Sequence, residues 1–295
     1  MDSAELLSRY SRGERDFSML NLSRFRLGDS DLKGANFTGA DLSYADLSGS
    51  DLSDATLSGA NLSKACLCAT NLDNANCQGV DFRNASLTGD CHGINTNYSY
   101  ADFRGNALAE GILENSNFTG ANFAGSHISQ YSFLECNLTA ANFNQSRLSE
   151  VSFDNCNLAV SDFSVACLDL DFRCSILDNA SFRKATLDIC NKERLDEIQQ
   201  WSNVDFTRTV FYFGRYSQLV LPENIDTSNV IVIRYHSDLS DVNLSGCNLE
   251  YIDLSGMNLT NANLSEAKLA DEPEYIKAIF CNTILPNGNI WSNVG

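Results

Sequence analysis

Between Phe17 and Leu87 a Leu or Phe stands at every fifth residue, fifteen positions in which Cys77 is the one exception. We call this position the centre. A period of five fits neither the 3.6 of a helix nor an unbroken two-residue alternation, so the pattern predicts neither a regular helix nor one long strand. It predicts a short turn made again and again. A small residue stands two before most centres (Ala35, Ala40, Ala45, Ala55, Ala60, Ala65), and in extended backbone it shares the centre's side, so both point inward. The remaining positions are Asn or Asp, then Ser or Thr, then Gly or a polar residue. Those types supply corners and local side-chain-to-backbone hydrogen bonds.

Units such as Ala35-Asn36-Phe37-Thr38-Gly39 and Ala60-Asn61-Leu62-Ser63-Lys64 resemble the Ala-(Asp/Asn)-Leu-x-x consensus of the pentapeptide-repeat family. The resemblance covers most of the chain. It implies an all-β fold, a right-handed quadrilateral parallel β-helix in which four units make one coil. Centres twenty apart form columns of like residues, Phe103, Phe123, Phe143 and Phe163 in one, Leu108, Ile128, Leu148 and Leu168 in another. A coil of twenty fits those columns. The segments Tyr10 to Phe17 and Ile284 to Ile290 also look like the ends of cyanobacterial members.

Residues 1–14 read as a helical cap, with Ser3 as N-cap and Leu6, Leu7 and Tyr10 on one side, covering the open end of the column. The β-helix is expected over 15–190. One extra residue enters near Cys91 to Ile94, predicting a bulge, and one is lost around Leu168 to Phe172. Residues 191–203 carry an inserted helix with Leu195, Ile198 and Trp201 at helical spacing, its apolar stripe packed on the side of the column. Repeats return over 204–216. An irregular insertion, 217–237, contains a strand from Asn229 to Tyr235. Repeats resume over 238–288, with one more extra residue near Pro273, and 289–295 is a tail. The register predicts one continuous solenoid of about eleven coils, roughly 50 Å long at ~4.8 Å per coil, each contacting only its neighbours.

Composition narrows the function more than the fold. Thirty-eight acidic against twenty basic residues give a net charge of −18, which disfavours nucleic acid and anionic membrane as partners and favours basic or neutral ones. Such a balance also keeps a long solenoid soluble. Eleven cysteines follow the repeat phase rather than a paired spacing, so they predict free thiols and a reducing compartment, the cytoplasm. Cys136 and Cys156 stand twenty apart at the small inward position, close enough for a disulfide on adjacent coils but expected as free buried thiols. No apolar run reaches the length of a membrane span.

Chemistry is sparse. The histidines, His92, His127 and His236, are far apart. Cys91-His92 is the one metal-like pair, without a second pair nearby. Cys66 and Cys68 flank an inward Leu67 and face outward together. Asp31 and Asp51 stack on one open face, where carboxylates lack the burial that acid–base work requires. No phosphate loop, nucleophile elbow or triad spacing is present. The sequence therefore implies no enzyme, no cofactor and no metal. It implies a protein-binding scaffold, with Cys91, His92, Leu195, Ile198, Trp201, Tyr235, Asp31 and Asp51 as the candidate interaction surface. The alternative is the family's acidic DNA mimics that bind a type II topoisomerase, gyrase. Eighteen net charges over roughly 50 Å is one per ~2.8 Å, sparser than the one per ~1.7 Å of duplex DNA. Oligomeric state is left open by the sequence.

Overall fold

The computed structural model describes residues 1–87, 93–189, 198, 200–214, 220–223, 225–226, 228–234, 237–250, 252–270 and 277–291. They form two compact units: residues 1–162 with 170–180, and residues 163–169 with 181–295. Each is a parallel β-solenoid.

In the first unit, Asp16 bridges Asn36, Asn21 bridges Asp41, Arg26 bridges Asp46 and Asp31 bridges Asp51, all parallel. Four bridges per twenty residues make each coil four-sided. The ladder from Asp16 runs through Asn36, Thr56, Asn76, Asn97, Asn117, Asn137 and Asn157 to Ile176. Its steps are twenty residues except between Asn76 and Asn97, which are 21 apart, and Asn157 and Ile176, which are 19 apart. The gained and the lost residue read from the register are thus absorbed in single coils, and the extra residue falls in the segment that includes 88–92, outside the described residues.

Why five residues turn one corner is visible in the hydrogen bonds. At most corners the centre carbonyl accepts from the N–H three residues on, as in Ala35 N to Leu32 O at 3.0 Å. The third residue of that turn is left-handed, Gly34 at φ 65° or Tyr44 at φ 58°, which is the type II signature. Where Asn or Asp precedes a centre it does a second job. The Oδ1 of Asp16 accepts from Ser18 N at 3.1 Å, and that of Asn61 from Ser63 N at 3.0 Å, closing an Asx turn. Asp and Asn both supply that oxygen.

Inward, Leu22, Leu42, Leu62, Ala40 and Ala60 are buried. Coils repeat at the strand spacing, so equivalent rings stack at that distance. Phe103 lies 4.7 Å from Phe123 with 5° between planes, and Phe123 lies 4.9 Å from Phe143 with 3°. Three longer strands, β1 (Ala107–Glu114), β2 (His127–Leu134) and β3 (Arg147–Asp154), pair in parallel with Leu108, Ile128 and Leu148 in register. Each bends at a left-handed residue, Glu110, Gln130 or Glu150. One inward column departs from small residues here: Tyr131 is buried where Ala is usual. Gly111 makes room for it, since a methyl at Gly111 would sit 2.3 Å from the Tyr131 ring.

The helix α1 (Ser3–Ser11) covers the first coil: Leu6 is buried, Arg9 lies over the Phe17 ring at 5.9 Å, and Tyr10 Oη donates to Lys33 O at 2.8 Å. Its N-cap is Asp2, whose side chain accepts from Glu5 N at 2.8 Å. Ser3, expected as the cap, is the first helical residue, and its hydroxyl accepts instead from Arg26 N at 2.9 Å. A carboxylate also suits the positive end of the helix dipole better than a hydroxyl.

β4 (Cys167–Asp171) contributes residues to both units. In the second unit Cys167 and Leu168 pair with β5 (Thr186–Asp188), β5 pairs with β6 (Val210–Gly214), and β6 with β7 (Ile231–Arg234), all parallel. β7 occupies the middle of the strand expected from 229 to 235. Regular coils return with β8 (Asn248–Leu249) beside β9 (Lys268–Leu269). Asn258 bridges Ile279 and Asn263 bridges Ile284, steps of 21 that take up the extra residue near Pro273. The tail expectation is corrected: Ile290 and Trp291 form β11, antiparallel to β10 (Thr283–Ile284). Trp291 packs 5.7 Å from Phe280, so the chain folds back over its last described coil, shielding apolar surface that a solenoid end would otherwise expose. No helix among the described residues is long and apolar enough to cross a membrane.

Candidate functional site

The second unit departs from the twenty-residue coil where the sequence is least repetitive. Ser181 bridges Asp205, and Thr186 pairs with Val210, steps of 24 residues. The surplus lies in the segment read as an inserted helix. Of that segment Leu195 falls outside the described residues, Ile198 is helical and buried, and Trp201 is 9% exposed. The indole does not pack on the side of the column. It lies 5.9 Å from the Phe182 ring with 5° between planes, and 6.5 Å from Phe206. Ile198 and most of Trp201 are thus core, because the core column offers two aromatic faces to cover.

Phe206 is a regular centre in sequence, yet it is partly exposed, whereas the neighbouring centres Phe182 and Phe211 are fully buried. Above it opens a cleft of about 310 Å³, walled by Trp201, Phe206, Ile225 and Val230, with Asp205 and Asp226 among its polar lining. Both irregular segments meet there. Asp226 is fixed by its own turn: its Oδ1 accepts from Ser228 N at 2.9 Å and Ser228 Oγ at 2.6 Å, its Oδ2 from Asn229 Nδ2 at 2.7 Å. Those bonds, the Ser228 hydroxyl first, hold the carboxyl below the usual range. Asp205 Oδ1 accepts from Thr207 N at 2.9 Å, and its Oδ2 lies 3.6 Å from Arg183 Nε. The cleft is concave and more polar than apolar in its exposed lining, with Asp205 and Asp226 fixed by their own turns.

The other sequence candidates do not converge. Cys91, His92 and Tyr235 lie outside the described residues. Asp31 and Asp51 bridge each other on one face, but each carboxylate turns to its own corner, accepting from Lys33 N at 3.1 Å and Ser53 N at 2.8 Å. Asp31 also edges an open hollow of about 520 Å³ with Tyr10 and Arg15. Arg15 lies 3.8 Å over the Tyr10 ring, and Tyr10 Oη reaches Asp31 at 3.3 Å. Burial, then the Asp31 charge, push the Tyr10 phenol up, and the group ties the cap to the first coil.

Cys66 and Cys68 face one another at 3.6 Å. The Cys68 backbone N–H favours the Cys66 thiolate, but partial burial and the second thiol outweigh it and hold the Cys66 thiol up. Cys136 and Cys156 are free and buried; Cys136 Sγ reaches Leu113 O at 3.4 Å, and Cys156 Sγ reaches Phe133 O at 3.3 Å. Among the described residues no three His, Cys, Asp or Glu side chains come together to hold a metal ion.

Sequence reasoning did not single out Phe206, Asp205, Asp226, Ile225 or Val230. Phe206 and Asp205 look like any other unit, and nothing in a centre's identity tells whether the next coil covers it.

A four-sided parallel solenoid built from five-residue units defines the class. The family model described as pentapeptide repeats matches in eight copies, over residues 16–54, 50–89, 94–130, 136–170 and 237–271, and the chain belongs to the pentapeptide-repeat family. Among solved structures it is similar to HetL, a pentapeptide repeat protein involved in heterocyst differentiation regulation from the cyanobacterium Nostoc sp. strain PCC 7120, at 24% identity over 99% of this chain and 100% of that one, TM-score 0.34. The pentapeptide repeat protein alr5209 from Nostoc PCC 7120 is 33% identical over 34% of this chain and 80% of that one, TM-score 0.32. Full-length QnrB1, a plasmid-mediated fluoroquinolone resistance protein, is 15% identical over 61% of this chain and 91% of that one, TM-score 0.40. No curated protein matches the chain.

Proposed function

We propose that the protein is a non-enzymatic, cytoplasmic protein-binding scaffold whose recognition face lies in the second unit, around the cleft above Phe206. One observation carries this reading: the two segments that break the repeat converge on a cleft whose base is a core aromatic left partly open. Uniform faces offer a partner nothing to tell one coil from another, so specificity belongs where the pattern fails. Capture of partners by the full chain, compared with an Asn203→Arg/Thr207→Arg variant that crowds the cleft, tests it. Loss of specific partners is expected, and an unchanged set removes this face from consideration.

The duplex-mimic reading rests on charge. In the first unit that charge has a local origin: Asp16 and Asp46 close Asx turns that Asn closes elsewhere. Arg83 and Arg104 further offset Asp81 and Asp102, each at 2.7 Å. Inhibition of gyrase supercoiling at micromolar protein would restore the mimic.

A further inference from the structure

We infer that the cleft above Phe206 accepts a cationic side chain, the guanidinium of an arginine or the ammonium of a lysine, presented by a basic segment of the partner. This rests on the scaffold reading and names the chemistry of its recognition face. Three features of the cleft point the same way. Its lining includes two aromatic residues, the partly exposed Phe206 and Trp201, and aromatic faces attract cations, more so when water is excluded. Its polar lining includes two carboxylates, Asp205 and Asp226. Both are oriented by their own turns before any ligand arrives, so little ordering cost attends binding.

Among the described residues two arginines stand near the cleft, and neither fills it. Arg183 Nε stands 3.6 Å from Asp205 on a side chain 61% exposed, a weak solvated pair. The Arg208 guanidinium is directed elsewhere, donating to Ser245 O at 2.9 Å and Asn243 O at 3.2 Å. A neutral apolar side chain would meet the aromatic residues but bring no charge to Asp205 and Asp226. An anion would meet both. A volume of about 310 Å³ is ample for one long side chain and small for a folded element. The overall charge of −18 draws a basic segment toward this face and makes its association salt-dependent.

The two tryptophans are Trp201 and Trp291, so a Trp291→Phe chain carries one indole, at the cleft. Its emission is followed on addition of the peptide acetyl-Gly-Arg-Gly-amide, of its lysine counterpart, and of the citrulline form, which keeps the shape of arginine without the charge. Saturable change with the arginine or lysine peptide is expected. Affinity should drop at least tenfold with citrulline, and at least tenfold in an Asp205→Asn/Asp226→Asn variant, whose amide oxygens still close both turns. Equal binding of arginine and citrulline peptides overturns the inference, as does absence of a saturable change with either cation, or a double variant that binds as tightly as the parent. Partner capture that depends on Asn203 and Thr207 without any preference for charge would leave the scaffold reading standing and remove this inference alone. Capture indifferent to those two residues would remove the scaffold reading itself.

Discussion

Asn106 occupies the inward small position two before Leu108, where Ala85, Ser126 and Ser146 stand in neighbouring coils. It is 2% exposed, and neither its Nδ2 nor its Oδ1 has a hydrogen-bond partner. Burying an amide without compensation costs ~1–3 kcal/mol on the scale of protein mutational data. Replacing Asn106 with Ala removes that cost and leaves a void of about 30 Å³, which at ~24 cal/mol per Å³ costs ~0.7 kcal/mol. The net expectation for Asn106→Ala is a gain of about 0.5–2 kcal/mol. Asn106→Ser should fall between the parent and Asn106→Ala, because the equivalent hydroxyl donates to a carbonyl at Ser146, at 2.7 Å, but has no partner at Ser126. Urea unfolding followed by circular dichroism measures the effect: at an m-value of ~2–3 kcal/mol/M the midpoint should rise by about 0.2–1 M with m unchanged. A midpoint lowered in both variants would refute the reasoning. It would mean that the amide is satisfied, as by a buried water shared with the unpartnered Ser126 Oγ.

Phe123 is fully buried between Phe103 and Phe143, so Phe123→Ala should cost ~3–5 kcal/mol and lower the thermal midpoint; a loss under ~1 kcal/mol would show that the stack closes up on itself. Val160 is 57% exposed at φ 62°, a left-handed conformation that disfavours a β-branched residue by ~1–2 kcal/mol. Val160→Asn should therefore raise the midpoint, and an unchanged midpoint would mean the corner carries no strain. Asp16 and Asp46 are held below the usual carboxylate range by the side-chain and backbone bonds of Ser18 and Ser48, and Asp81 by the Arg83 side chain. Their folded pKa values lie below the unfolded ones, so their stabilisation is complete above ~pH 3.9 and is lost as pH falls through the folded values. Asp46→Asn should match the parent at pH 7 and lose less stability on acidification, read from urea midpoints at pH 7 and pH 3; equal losses in parent and variant would contradict this.

The period of Phe17 to Leu87 determined the inward column and the corner chemistry from sequence alone, while the four-unit coil came from the family resemblance and the like residues twenty apart. A five-residue unit leaves one large and one small side chain facing in, and Asn or Asp before each centre can close only a local turn. Register arithmetic also located the gained residues before Asn97 and Ile279 and the lost one before Ile176, because a parallel ladder forces every insertion to be absorbed within one coil. Tertiary structure alone decided the rest. Trp201 carries the same helical spacing whether it covers the side of a column or stacks on Phe182, and only the depth of the coil chooses between them. Ile290 and Trp291 read as a tail until the hairpin with Thr283 and Ile284 folds them back over the last described coil. Phe206 is indistinguishable in sequence from a closed centre such as Phe182. Whether a ring is covered depends on what the following coil brings above it, and there the repeat that makes every other position legible gives way to Ile225, Asp226 and Val230.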